Sequence, residues 1–270
     1  MDLAGRGGGS DMILVVTGTD TDVGKTVVTA ALAACALEGG ARVAIYKPTQ
    51  TGVEPGQGGD VHSIGHWLGN PRALTLEEGA RLADPMAPVD AALHSGGIAA
   101  AEALPTLADH VRRVQALARE HEVVIVEGAG GLLVSLTLAG ETIADMARAL
   151  GARLVVVARP DLGTLNHTAL TLEAAVSRGF VDGVLVLGSF PAAPTSLHER
   201  NRTNLRELAQ RNRWTWVPGP PAAAASAAAA SAVEKETTQR ILHAAGRKMA
   251  PVFDDQPALA HAAPSRGSAG

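Results

Sequence analysis

The sequence predicts an α/β fold, a three-layer arrangement in which a mostly parallel central sheet carries helices on both faces. Three observations carry that prediction. Five short β-branched apolar runs alternate with five longer stretches of helical pattern. The runs are apolar at nearly every position rather than every second one, as strands covered on both faces must be. Hydrophobic residues make up 46% of the 270 and aromatics only 3%, so the core must be built from Ala, Val, Leu and Ile.

In chain order, Met1–Asp11 holds Gly7-Gly8-Gly9 and no apolar stretch, so residues 1–11 read as a flexible Gly-rich leader and not a signal peptide. MILVV (Met12–Val16) is the first strand, and Lys25–Leu37 is a helix closed by Gly39-Gly40. VAIY (Val43–Tyr46) is the second strand. In the loop GGDVHSI that follows, Asp60 is placed to start a further helix. Pro105–Arg119 reads as a helix, VVIV (Val123–Val126) as the third strand and Ile143–Leu150 as a helix. LVVVA (Leu154–Ala158) is the fourth strand, followed by a helix at Leu165–Ser177. GVLVLG (Gly183–Gly188) is the fifth, followed by a helix at Ser196–Arg211. Residues 221–250 are Ala-rich, with Val233–Met249 suited to one terminal helix. Residues 251–270 have the composition of a disordered tail. The folded domain is therefore placed at residues 12–220. There is no internal repeat.

Composition narrows the function classes. A formal charge of −4 argues against a general nucleic-acid binder. The longest apolar stretches fall far short of the ~20 residues that span a bilayer. The single cysteine, Cys35, excludes an intrachain disulfide and a multi-cysteine zinc site, and reads as helix packing. A cytoplasmic protein with one core is expected.

In parallel sheets ligands sit beyond the carboxyl ends of the strands, so the segment after each strand is where chemistry is sought. The first strand runs into TGTDTDVGKT, Thr17–Thr26, and then a helix. That is the context of a phosphate-binding loop, in which backbone N–H groups and the helix start cradle an anion. Lys25 would reach the β- and γ-phosphates and Thr26 would ligate Mg²⁺. A helix N-cap beside a solvated lysine is the bland alternative. Thr19 occupies the first glycine of the usual pattern, with Gly18 one place earlier. After the second strand, KPTQTG (Lys47–Gly52) offers a lysine that can neutralise charge on a transferring phosphoryl group. Equally, it could be a surface lysine before a Pro-initiated turn. Asp60 is either a magnesium-side carboxylate or a plain N-cap. EGAGG, Glu127–Gly131, puts a carboxylate directly after a buried strand, where it can hold Mg²⁺ and where it is costly without a partner. LGTLNHT, Leu162–Thr168, offers Gly163, Thr164 and Asn166 to an anion at a helix start, or simply caps that helix. Gly188-Ser189 carries little weight alone. His62 and His66 lie four apart on one helix and read as two exposed histidines, since no further matched ligand accompanies them.

VTGTDTDVGKT, YKPTQTG, VEGAGG and DLGTLNHTALT, in this order and spacing, resemble dethiobiotin synthetase of biotin biosynthesis, a P-loop NTPase family. The resemblance covers residues 12–220. It implies a Mg²⁺-dependent homodimeric cyclo-ligase whose substrates are 7,8-diaminopelargonate, CO₂ (or bicarbonate) and a nucleoside triphosphate, ATP or another such as CTP. It further implies that Lys47, Lys25 and Thr21 act on the transferring phosphoryl group. Asp22, Val23, Gly24, Lys25, Thr26 and Val27 would form the nucleotide loop, with Glu127, Gly128, Ala129 and Gly130 beside it. Thr26, Asp60 and Glu127 match the magnesium positions. Thr51, with Lys47, would touch the diamine. Gly163, Thr164 and Asn166 would receive the substrate carboxylate across the dimer interface. Gly188, Ser189, Pro218, Gly219 and Pro220 match the segments around the base. Some members carry Asn-Asp where this chain has Gly-Ser, which removes an amide that could read a purine.

Two other nucleotide-dependent classes fit less well. Nucleotide-switch ATPases carry a signature lysine early in the loop, where Asp20 stands here. Amide-forming synthetases of cobalamin assembly add a glutaminase domain with a cysteine nucleophile, for which this chain has no length, and its single cysteine lies in the first helix. A non-catalytic nucleotide-binding partner would leave Lys47 and Glu127 unexplained.

Overall fold

A computed structural model describes residues 12–188, 190–221 and 232–253. Its strands are β1 (Met12–Gly18), β2 (Val43–Gln50), β3 (Leu74–Arg81), β4 (Val123–Gly131), β5 (Arg153–Ala158), β6 (Val184–Leu187) and β7 (Thr215–Pro218). They form one sheet in the order β3-β2-β4-β1-β5-β6-β7, with every pairing parallel. The helices are α1 (Lys25–Glu38), α2 (Asp60–Leu68), α3 (Pro88–Glu102), α4 (Leu107–Ala118), α5 (Ile143–Leu150), α6 (Thr164–Ser177), α7 (Ser196–Arg211) and α8 (Ala232–Met249).

Successive strand residues point to opposite faces, and the core divides accordingly. Leu14, Val16, Ile45, Ile125, Val155 and Val157 pack with α1, α2 and α8. Val15, Ala44, Val124, Val126, Val156 and Leu185 pack with α4, α5, α6 and α7. This is the three-layer α/β arrangement expected. On the second face Tyr46 and His110, both buried, share a 2.7 Å hydrogen bond. Burial holds His110 below the ordinary histidine value.

Three elements were not anticipated. β3 is an edge strand whose Glu77, Glu78 and Arg81 make ion pairs, so it has no apolar run to find. β7 is four residues long. α3 is interrupted at Gly96 and Gly97, whose angles are not helical.

The packed region also runs past the expected limit at Pro220. Leu242, Ala245 and Met249 of α8 are buried with α1, as are Val252 and Phe253 just after it. A Cβ on Gly246 would sit 3.0 Å from the Ala31 carbonyl and 3.0 Å from the Cys35 nitrogen, so this glycine sets how closely α8 backs α1. Cys35 packs against the same cluster. The expected Gly-rich leader, most of the Ala-rich segment before α8, and the tail after residue 253 lie outside the described residues.

Candidate active site

β2 and β4 are paired as far as Tyr46 and Val126 and then part. The next residue on each strand is Lys47 and Glu127. The parting places both side chains at the carboxyl end of the sheet, next to the loop between β1 and α1.

That loop is shaped by backbone that few side chains tolerate. Asp22 has φ 54° and Gly24 φ 95°, both left-handed, which turns successive N–H groups toward one point. The early glycine finds its reason here. A Cβ on Gly18 would meet the Asp20 carbonyl and Val23 Cγ2 at 2.7 Å each, so the loop closes over Gly18 rather than over residue 19. Thr19 N–H donates to the Val157 carbonyl at 2.9 Å and ties the loop to β5. The Lys25 ammonium is buried and donates to the Asp20 carbonyl at 2.8 Å. Burial lowers its proton affinity below that of an ordinary lysine, with Glu127 opposing.

Lys47 is 3% exposed and Glu127 1%. The Lys47 ammonium donates to Asp60 Oδ2 at 2.5 Å and to Glu127 Oε1 at 2.8 Å. Burial pulls its proton affinity down, but the charges and hydrogen bonds of Glu127 and Asp60 outweigh that and hold Lys47 above the ordinary lysine value. Thr26 donates its hydroxyl to the same Glu127 Oε1 at 2.9 Å. Glu127 Oε2, although buried, has no hydrogen-bond partner among the described residues. A dry carboxylate oxygen with unused lone pairs, flanked by a threonine hydroxyl and a second carboxylate, is the donor chemistry a hard divalent cation takes. Thr26, Asp60 and Glu127 therefore fit Mg²⁺.

A cavity of about 450 Å³ opens here, lined by Thr21, Asp22, Gly24, Lys25, Thr26, Val27, Lys47, Thr51, Asp60, Glu127, Ala129 and Gly130. Gly128 lies behind it, its Cα so near Ile143 that a Cβ would come to 3.2 Å of that side chain. Val23 is buried under the loop. Gly188, Pro218, Gly219 and Pro220 lie at the ends of β6 and β7 and do not line the cavity. A Cβ on Gly188 would lie 2.2 Å from the Val23 carbonyl, so β6 ends directly against the phosphate loop. Ser189 lies outside the described residues.

Gly163, Thr164 and Asn166 begin α6 and are not brought to this cavity within one chain. The Thr164 side chain is buried, 3.4 Å from Thr168 Oγ1, and its N–H donates to the Asp161 carbonyl. Gly163 and Asn166 stay exposed. His62 and His66 are also exposed, and no group of three or more His, Cys, Asp or Glu side chains that could hold a metal occurs among the described residues.

Sequence reasoning passed over Gln50, Ser63 and Trp67, which complete the cavity wall. Gln50 was visible in KPTQTG as a polar residue in the segment after the second strand. Ser63 and Trp67 depend on the angle at which α2 meets the sheet, which no local pattern encodes.

A family model described as "AAA domain" matches residues 13–218. The ATP-dependent dethiobiotin synthetase BioD of Rhodococcus jostii (strain RHA1) is 52% identical over 198 residues, 73% of this chain and 80% of that protein. The enzyme of the same name from Mycobacterium avium (strain 104) is 47% identical over 197 residues, 73% and 83% of the two chains. That of Streptomyces coelicolor is 44% identical over 198 residues, 73% and 79%. Among solved structures, a chain of the MinC:MinD cell division protein complex of Aquifex aeolicus superposes with TM-score 0.54 at 11% identity, covering 91% of this chain and 98% of that one. At that identity the likeness concerns the fold alone. Among the described residues no helix is long and apolar enough to cross a membrane. With matches at this identity over most of both chains, the chain belongs to the family of ATP-dependent dethiobiotin synthetases.

Proposed function

We propose that the chain makes dethiobiotin, the penultimate step of biotin biosynthesis, by nucleoside-triphosphate-driven insertion of CO₂ between the two amines of 7,8-diaminopelargonate. The observation that carries this reading is Lys47, a buried ammonium held between Asp60 and Glu127 beside the phosphate loop. One amine of the diamine adds to CO₂ and loses a proton, giving a carbamate. A carbamate oxygen then attacks the γ-phosphorus and the nucleoside diphosphate leaves. The second amine attacks the carbonyl carbon of the mixed anhydride, and phosphate leaves as the ring closes.

Little covalent work falls to the protein; positioning and charge stabilisation do the rest. Backbone N–H groups of Asp22–Val27 and the Lys25 ammonium hold the phosphates, with Thr21 beside the γ-phosphate. Lys47 meets the charge that grows on the transferring phosphoryl group, and its low exposure makes that interaction strong. Mg²⁺ bound at Thr26, Asp60 and Glu127 would neutralise phosphate charge. Thr51 orients the diamine in the cavity, and Gly163 and Asn166 of a second copy take its carboxylate in a homodimer. The base lies toward Gly188, Ser189 and Pro218–Pro220, with ATP and CTP as the nucleotides to compare. A cytoplasmic location is part of the same reading.

The test is product formation. Purified chain given diaminopelargonate, bicarbonate, Mg²⁺ and ATP or CTP yields dethiobiotin. Tight nucleotide binding with no product from any nucleotide would refute the assignment. A monomer by light scattering at working concentration would remove the dimer.

A further inference from the structure

We propose that Gln50 is a positioning residue for this reaction, its side-chain carbonyl capping α2 from the neighbouring strand and thereby fixing the Asp60 carboxylate against Lys47. The proposal rests on the reading of Lys47 given above. The first N–H groups of a helix have no partner inside it, and the residue before it ordinarily supplies one through a Ser, Thr, Asp or Asn side chain. Before α2 stands Gly59, which has no side chain to cap with. Its backbone angles, φ −91° and ψ −165°, are open to any residue. The space is not: a Cβ there would lie 2.6 Å from Gln50 Oε1 and 2.7 Å from Glu78 Oε1.

The cap is instead delivered across space. Asp60 N–H donates to Gln50 Oε1 at 2.8 Å. The other end of the amide is engaged too, Nε2 donating to the Thr51 carbonyl at 3.1 Å. Gln50 is 4% exposed and lines the cavity, so bulk water is a poor substitute for either partner. One amide thus joins the turn that carries Thr51 to the first turn of α2. From that turn Asp60 reaches Lys47 at 2.5 Å, so a shift of the turn moves the charge that holds the ammonium. Glutamine performs this between Asp60 and Glu78 without adding a further negative charge.

The test uses the full chain, Gln50→Met, which keeps length and loses both hydrogen bonds, and Gln50→Glu, which keeps an acceptor for Asp60 N–H and loses the donor to Thr51. Steady-state dethiobiotin formation with ATP and with CTP is measured beside calorimetric binding of the same nucleotides, thermal midpoint and hydrogen exchange of the α2 amides. In Gln50→Met, kcat is expected to fall about ten- to a hundredfold, the range for a reacting group misplaced by up to an ångström. Nucleotide affinity and thermal midpoint change far less, and exchange quickens at the start of α2. Gln50→Glu restores slow exchange at the start of α2 and recovers part of the lost kcat, its added charge beside Asp60 and Glu78 withholding the rest. Undiminished kcat in Gln50→Met, unchanged exchange at Asp60, or a collapse of thermal midpoint that Gln50→Glu does not relieve would each overturn the proposal. No dethiobiotin from the unaltered chain would overturn the function and this proposal together, so the two failures are told apart.

Discussion

Replacing Lys47 by methionine is expected to cost about 3–5 kcal/mol of folding stability, the usual loss when one partner of a buried ion pair is removed. The loss falls in the upper part of that range because Glu127 is 1% exposed and would keep only the Thr26 hydroxyl as a partner among the described residues. The Asp60 side chain, about a third exposed, is hydrated when Lys47 is gone and neither adds to the cost nor relieves it. Glu127→Gln alone costs less, since Lys47 still has Asp60 at 2.5 Å. Combining the two changes removes the stranded charge. Neutral replacements of similar volume range from about neutral to stabilising by 1–4 kcal/mol, so the double variant regains most of the loss. A double-mutant cycle by urea unfolding, followed by far-ultraviolet circular dichroism without nucleotide, reads the coupling directly. Additivity within about 0.5 kcal/mol would instead mean that water already screens the pair and that no stranded charge exists to relieve. All three variants are expected to lose turnover far more than nucleotide affinity; equal losses for Lys47→Met would reduce Lys47 to a binding residue.

Three other substitutions probe the fold around the site. Phe253→Ala removes the largest fully buried side chain among the described residues and is expected to cost about 3–5 kcal/mol, seen in a scanning calorimeter as a midpoint lowered by roughly 6–20 °C; a midpoint within a degree of the parent would detach this residue from the core. Gly188→Ala forces a Cβ to within 2.2 Å of the Val23 carbonyl, and the overpacking, about 1–3 kcal/mol, falls on the phosphate loop. Nucleotide binding by calorimetry is expected to weaken, and an unchanged Kd would show that β6 yields instead. His110 has a folded-state proton affinity below its unfolded value of about 6.5, so its contribution is present above that pH and is lost as pH falls through and below it. Urea midpoints at pH 7.5 and 5.5 are therefore expected to differ less in His110→Gln than in the parent.

Lys47 and Glu127 were legible because each directly follows a run of apolar residues too continuous for anything but a buried strand. A charge placed there announces a partner. Their actual pairing was not legible, since it depends on β2 and β4 lying side by side although α2, β3, α3 and α4 intervene in the chain. β3 escaped notice because an edge strand with Glu77, Glu78 and Arg81 satisfies its polar groups through ion pairs and leaves no hydrophobic period. Phe253 was lost for the opposite reason. It is a single apolar anchor in a stretch whose average composition is that of a loose tail, and burial is decided by one contact rather than by an average. Gln50 matters through a helix that begins ten residues later, a relation that spacing alone does not specify.

β1 lies in the middle of the sheet, with Met12 beside Val123 on one flank and Leu14 beside Arg153 on the other. β1, the first of the described strands in the chain, therefore waits for segments made much later before its hydrogen bonds can close. The phosphate loop leans on the same late segments, Thr19 N–H donating to the Val157 carbonyl of β5 and the Thr26 hydroxyl to Glu127 of β4. A chain stopped short of β4 would lack both supports, and it is expected to bind nucleoside triphosphate far more weakly than the whole chain.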